Sequence, residues 1–168
     1  MKIVEAMKEL RTIEKRMQSN ISYLDQYSSI LNTERPEFGT EEDQKKEVAA
    51  LLQSNKDLMA QYLKIKSSIE KTNLETLVEI KGETKSIGEW LIIRRKLAKV
   101  MEMTYSALSS NNASNRMRMN MGSSDRTPQI IKMFDEKIKL EGLDKWQTMS
   151  DNIDARLQVI NALTDIIE

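Results

Sequence analysis

Two apolar stripes with coiled-coil spacing occupy the first 72 residues, and each is interrupted once by an asparagine. The first stripe is Ile3, Ala6, Leu10, Ile13, Met17, Asn20, Leu24, Tyr27 and Leu31; the second is Val48, Leu51, Asn55, Leu58, Tyr62, Ile65 and Ile69. Both advance in alternating steps of three and four, which places their members on one face of a helix. A chain that folds back around Arg35 to Thr40, centred between Glu37 and Phe38, brings Asn20 and Asn55 to the same level. The pattern therefore predicts an antiparallel helical hairpin with one polar layer in its seam.

The rest of the composition fits that frame. Of 168 residues, 39% are hydrophobic and 31% charged, the mixture of amphipathic helices in a single domain of modest core. Aromatics make up only 5% while Met occurs 11 times, so flexible side chains fill the seams. The 26 basic and 26 acidic residues cancel, leaving no global field to recruit nucleic acid or an anionic membrane; an anion site has to be a local cluster. The chain has no His and no Cys, which removes imidazole bases, thiolate nucleophiles, zinc fingers and disulfides together. No motif for catalysis, a metal or a cofactor is found, and the expectation is a protein that is not an enzyme. Met1 to Leu10 lacks a secretory core, and the longest strongly apolar run, Trp90 to Ile93, is far short of the roughly 20 residues of a membrane span. A cytoplasmic location with no membrane partner is expected.

The local signals predict the following course. Helix one runs from about Lys2 to Asn32, about 45 Å at roughly 1.5 Å per residue, and Glu34, Arg35, Pro36 and Gly39 break it. Thr40 caps helix two, with Glu41, Glu42 and Asp43 in its first turn complementing the helix dipole rather than holding a metal. The hairpin covers residues 1–72 and a polar connector 73–85, in which Leu74 to Ile80 is either a short strand or a last helical turn and Gly82 supplies a turn. Ser86 and Glu89 form a capping box that starts a central helix over 86–108, apolar over a wide arc. Residues 109–127 read as a polar loop, Ser109 to Asn115, and then a strand-like alternation through Arg116, Met117, Arg118, Met119, Asn120 and Met121, able to form a small two-stranded ribbon with the region of Leu77 to Ile80. Thr127 with Pro128 restarts a helix; its stripe shifts phase around Gly142, predicting a kink or break there, and a terminal helix runs to about Ile167. The fold class is mainly all-α, a hairpin plus two further helical segments in one oligomeric bundle.

One set of residues carries potential chemistry. Trp90 and Arg94 are four apart on the central helix, so the guanidinium can lie over the indole. Arg95 and Lys96 enlarge the positive spot. Lys71, Asn73 and Thr76 enter from the preceding element, and Arg116 and Arg118 project to one side of a strand-like segment. Arginine forks with an aromatic plate would hold a phosphate and a base or ribose. Each residue also has a structural role open to it: Trp90 in the core, Arg94 and Arg95 paired with acids such as Glu89 or with another chain, Arg116 and Arg118 solvated, and Met117, Met119 and Met121 at an oligomer contact. Neither a Rossmann nor a P-loop glycine signature is present.

Met1 to Met17, Ile69 to Thr76, Gly82 with Thr84 to Leu97, and Asp154 to Asn161 with Thr164 resemble the septicolysin-like family of small helical proteins of bacteria and phages. Ala162 stands where that family has Trp, and the likeness lapses between Ser109 and Ser150. Its most specific part is Thr72 and Asn73, followed by Gly82 and the Arg94, Arg95 pair. The resemblance implies a long hairpin, a polar element, a further helix pair and higher oligomers, and brings no catalytic residues.

Three functions are compatible with these features. One is a non-catalytic homo-oligomer that sequesters a small anionic, nucleotide-like signalling molecule, in the manner of phage anti-defence sponges. Another is a structural or assembly protein of a phage or bacterial complex, and the third a membrane-active toxin. The Arg94, Arg95 and Trp90 set favours the first.

Overall fold

The structure is a computed structural model describing residues 1–119 and 128–167. It is mainly α-helical, with one small antiparallel sheet. The chain divides into two compact units: Met1–Thr76 with the C-terminal stretch from Gln158, and Leu77–Leu157.

The first unit is built on the hairpin of α1 (Ile3–Tyr27) and α2 (Glu41–Glu75). Ala6 and Leu10 of α1 and Ile69 of α2 form a buried cluster, with Tyr62, Ile65 and Ile166 against it. The Asn20 amide donates to Asn55 Oδ1 at 2.9 Å and to Ser54 Oγ at 3.1 Å. The polar layer and the register read from the two stripes are therefore present.

Helix one ends five residues earlier than its stripe predicts, because α2 supplies a competing cap. Gln44, itself buried, donates Nε2 to the Tyr27 carbonyl at 2.9 Å and accepts the Glu37 N–H at 2.9 Å. One side chain thus satisfies a helix end and the loop beyond it. Tyr27 also meets the Phe38 ring edge-on, with centroids 4.9 Å apart, and Gly39 takes a φ of +91° that a side chain would resist. Leu31 is left exposed outside the seam. Thr40 caps α2 as expected, its Oγ1 accepting from Asp43 N at 3.1 Å.

At the far end of the unit, α2 runs to Glu75, and the chain after α6 leaves helix at Thr164 rather than Ile167. The N-terminal segment provides the reason. Ile3 N donates to Thr164 O at 3.0 Å, Ile166 N donates to Met1 O at 2.9 Å, and the Lys2 ammonium meets the Asp165 carboxylate at 2.6 Å. Ile167 N then donates to Thr72 Oγ1 at 2.8 Å. These pairings require extended backbone, so the last helical carbonyls bond across rather than along the chain.

In the second unit, β1 (Leu77–Ile80) pairs with β2 (Glu83–Ser86), Leu77 opposite Ser86 and Ile80 opposite Glu83. The turn between them is Lys81 and Gly82, both at positive φ, the backbone of a type I′ hairpin. The ribbon anticipated from Arg116 to Met119 has a different partner for that reason: a two-residue turn closes a local hairpin before a distant segment can compete. Asn111–Met119 instead forms a helix, α5. Asn120, Met121 and Thr127, which complete the anticipated strand and helix restart, lie outside the described residues.

Ser86 ends β2 and caps α3 (Ile87–Ile92). Its Oγ accepts from Glu89 N at 3.2 Å, and Glu89 Oε2 accepts from Ser86 N at 2.7 Å, closing the expected capping box. The central helix is then interrupted by a π-helical turn over Ile93–Leu97, in which Ala98 N reaches back to Ile93 O, before α4 (Ala98–Ser106) resumes the α geometry. Among the described residues, Val78, Ile80, Ile87, Trp90, Ala98, Met149, Ile153 and Leu157 are the unit's buried apolar residues.

The last helix, α6 (Glu136–Leu163), starts eight residues after Pro128 and is continuous through Gly142. Asp135 caps it, its carboxylate accepting from Lys137 N at 2.7 Å. Gly142 is not a break but a contact. A Cβ there would lie 2.3 Å from Tyr105 ring atoms, so the glycine lets α6 pass directly against that ring. The phase shift in the sequence marks a close approach, and the helix is not broken there.

Candidate functional site

The candidate residues divide between the two units. Lys71, Asn73 and Thr76 belong to the first, at the end of α2; Trp90, Arg94, Arg95, Arg116 and Arg118 belong to the second.

Around the end of α2 the chemistry is polar and tightly hydrogen-bonded. Thr72 is fully buried; its Oγ1 donates to the Ser68 carbonyl at 2.7 Å while accepting from Ile167. Asn73 is buried beside it, Thr76 is half-buried and closes the helix through its own N–H to Thr72 O, and Lys71 is exposed. The buried Oδ1 of Asn161 has no hydrogen-bond partner among the described residues. A helix end with buried Thr and Asn side chains is costly unless its polar atoms are paired, and Thr72 shows how the extended C-terminal segment does this.

In the second unit, Trp90 is core. It is 1% exposed, and its indole N–H donates to the Val78 carbonyl at 2.8 Å, tying α3 to β1. The cation against the ring is Lys85, 5.1 Å from the centroid, not Arg94. The aromatic plate anticipated for a base is thus already covered. Lys85 in turn pairs with Glu83, which also accepts from Lys145 of α6 at 2.8 Å. The Lys145 hydrogen bond first, and then that from Lys85, hold the Glu83 carboxyl down to about 2 from its usual 4.5. This Lys85, Glu83, Lys145 clamp went unread in the sequence, because a pairing 62 positions apart leaves no local pattern.

Arg94 pairs with Asp154 of α6. The expectation of an acid partner is met, but by a residue 60 positions away rather than by Glu89, whose carboxylate is engaged by the Ser86 backbone and side chain and is lowered in pKa by that backbone bond. Arg95 and Lys96 are exposed on the same π-helical turn, and neither forms an ion pair among the described residues.

Arg116 and Arg118 are exposed on α5. On a helix two residues apart point about 200° away from each other, so they do not project to one side as a strand would place them. No hydrogen bond, ion pair or ring contact among the described residues joins them to Trp90, Arg94 or Arg95. What remains as a candidate is the basic π-helical turn, with Arg94 paired to Asp154 and two exposed cations following it. Among the described residues no group of acids is arranged to hold a metal, and no helix is long and apolar enough to cross a membrane.

No protein-family model matches the chain, and no curated protein is significantly similar to it. Among solved structures, the chain is similar to a functionally unknown conserved protein from Corynebacterium diphtheriae, at 16% identity and a TM-score of 0.60, over 99% of each chain. That likeness shows a shared fold.

Proposed function

We propose that this chain is a non-catalytic, self-associating protein that binds and sequesters a small phosphate-bearing, nucleotide-like anion. The observation that carries the reading is the π-helical turn, which presents Arg94, Arg95 and Lys96 in succession. Such turns are rare and occur frequently at functional sites, since the inserted residue re-aims the side chains around it. Here one cation is fixed by Asp154 while two stay exposed. Guanidinium and ammonium groups side by side recognise phosphate oxygens by charge-assisted hydrogen bonds. The resemblance to septicolysin-like proteins supports the same element, since Arg94 and Arg95 are in its most specific part. With Trp90 in the core, recognition rests on the anion rather than on stacking of a base.

Calorimetric titration of the full chain with inorganic pyrophosphate and a panel of linear and cyclic nucleotides tests this. Saturable binding by the wild type that is lost in Arg95→Ala/Lys96→Ala is the expected result. Binding by neither protein, or equally by both, overturns it.

A second reading, a structural or assembly protein, is favoured by a different observation: Leu52, Met59, Leu63 and Leu74 of α2 are each at least half exposed. A helical scaffold with an open apolar face is built to meet another chain.

A further inference from the structure

We infer that α2 docks, antiparallel and about a two-fold axis at Leu63, onto α2 of a second copy of this chain. This supplies the self-association in the reading above and rests on a separate surface.

The helix has two apolar stripes. One faces α1 through Leu51, Leu58, Tyr62, Ile65 and Ile69. The other, about a third of a turn round the helix, consists of Leu52, Met59, Leu63 and Leu74, which are 50%, 52%, 56% and 70% exposed. Lys56, Ser67 and Glu70 fill the intervening positions, so the whole series advances by three or four residues, the spacing of a helix-pairing seam. It extends for about 33 Å at roughly 1.5 Å per residue.

The order of residues along the stripe selects the partner and its direction. In an antiparallel pair centred on Leu63, Leu52 faces Leu74, Lys56 faces Glu70, Met59 faces Ser67 and Leu63 faces its own copy. Leucines therefore meet at both ends and at the centre, and each lysine meets a carboxylate. Among the described residues Lys56 forms no ion pair within its own chain. Glu70 pairs with Lys66 at 2.6 Å on an exposed surface, which leaves its second oxygen for Lys56 of the other copy.

A parallel pair would set Lys56 against Lys56 and Glu70 against Glu70, a repulsive arrangement. Sliding the antiparallel pair by one heptad sets Leu63 against Glu70 or Lys56. Of these alignments the centred one sets leucine against leucine and lysine against glutamate, with Met59 against the small Ser67, and a two-fold interface has to be self-complementary in this way.

The chain has no cysteine, so single cysteines report the geometry directly. Under mild oxidation Leu63→Cys is expected to form a disulfide-linked dimer efficiently, since the residue sits on the axis. Leu52→Cys alone is expected to stay uncrosslinked but to link with Leu74→Cys when the two variants are mixed. Leu52→Cys that crosslinks to itself as readily as Leu63→Cys overturns the antiparallel alignment. Independently, sedimentation of Lys56→Glu is expected to show dimerisation weakened by about tenfold or more, with Lys56→Glu/Glu70→Lys restoring it. A wild type that sediments as a monomer at all concentrations, or a double reversal no better than the single, overturns the interface. Pyrophosphate and nucleotide titration of the same variants reads the ligand reading separately: binding without dimers contradicts this interface alone, and dimers without binding contradict the ligand reading alone.

Discussion

The Asn20 side-chain amide donates to the Asn55 oxygen at 2.9 Å across the α1–α2 seam, and the Asn55 amide reaches the Met17 carbonyl at 3.4 Å. Such a pair contributes little net stability but penalises any slip of register, because a shifted helix leaves an amide without a partner among apolar side chains. Asn20→Leu strands Asn55 and is expected to lower stability by about 1 kcal/mol, the low end for a half-buried site. The double variant Asn20→Leu/Asn55→Leu is expected to recover that loss or exceed it. Urea denaturation midpoints decide: a double variant less stable than either single would show that the pair itself holds the hairpin.

The stripes and the two asparagines made this hairpin legible because the information is periodic and symmetric about a single bend. Thr40 and the Ser86, Glu89 box were legible for a related reason, since caps act over three residues. What was not legible is what depends on distant partners. Asp154 meets Arg94, and Gln44 ends α1, through contacts with no local signature. The alternation from Arg116 to Met119 is too short to separate a strand from a helix, and the two-residue turn at Lys81 and Gly82 gives β1 a nearer partner. Trp90 and Arg94 looked like one binding face at a spacing of four; the indole is instead held inward by Val78, and the guanidinium is taken by α6.

Gly142 provides a sharp contrast between local propensity and packing. At an exposed helical position, Gly→Ala stabilises by up to about 1 kcal/mol. Here the new Cβ would meet the Tyr105 ring at 2.3 Å, and the expected outcome is a loss of about 2 kcal/mol through overpacking. Combining Gly142→Ala with Tyr105→Ser is expected to relieve most of it. Thermal unfolding that shows Gly142→Ala to be stabilising contradicts the close approach.

Trp90→Phe removes the indole N–H and with it the bond to the Val78 carbonyl in the core, at an expected cost of about 1 kcal/mol. Anion affinity is expected to stay unchanged in the folded variant. A drop in affinity with stability preserved would return Trp90 to the ligand face.

Glu83 predicts an acid limit to stability. Its folded-state carboxyl is held at about 2, below its usual 4.5, by Lys145 and then Lys85. A depressed carboxyl contributes stability in full above about 4.5, and the contribution fades as pH falls through that value toward 2. Wild-type denaturation midpoints are therefore expected to fall more steeply over this window than those of Glu83→Gln. Parallel slopes would mean that the clamp does not persist in solution.

On the proposed function, the π-helical turn holds a phosphate-bearing anion without transforming it. Native mass spectrometry of the full chain, incubated with a mixed panel of nucleotides, tests this most directly by reporting stoichiometry and ligand mass together. The expected spectrum shows a dimer or multiple of it carrying an intact nucleotide, and no such adduct in Arg95→Ala/Lys96→Ala. A spectrum with no adduct on the wild type, an adduct that survives the double substitution, or a ligand of altered mass contradicts the account.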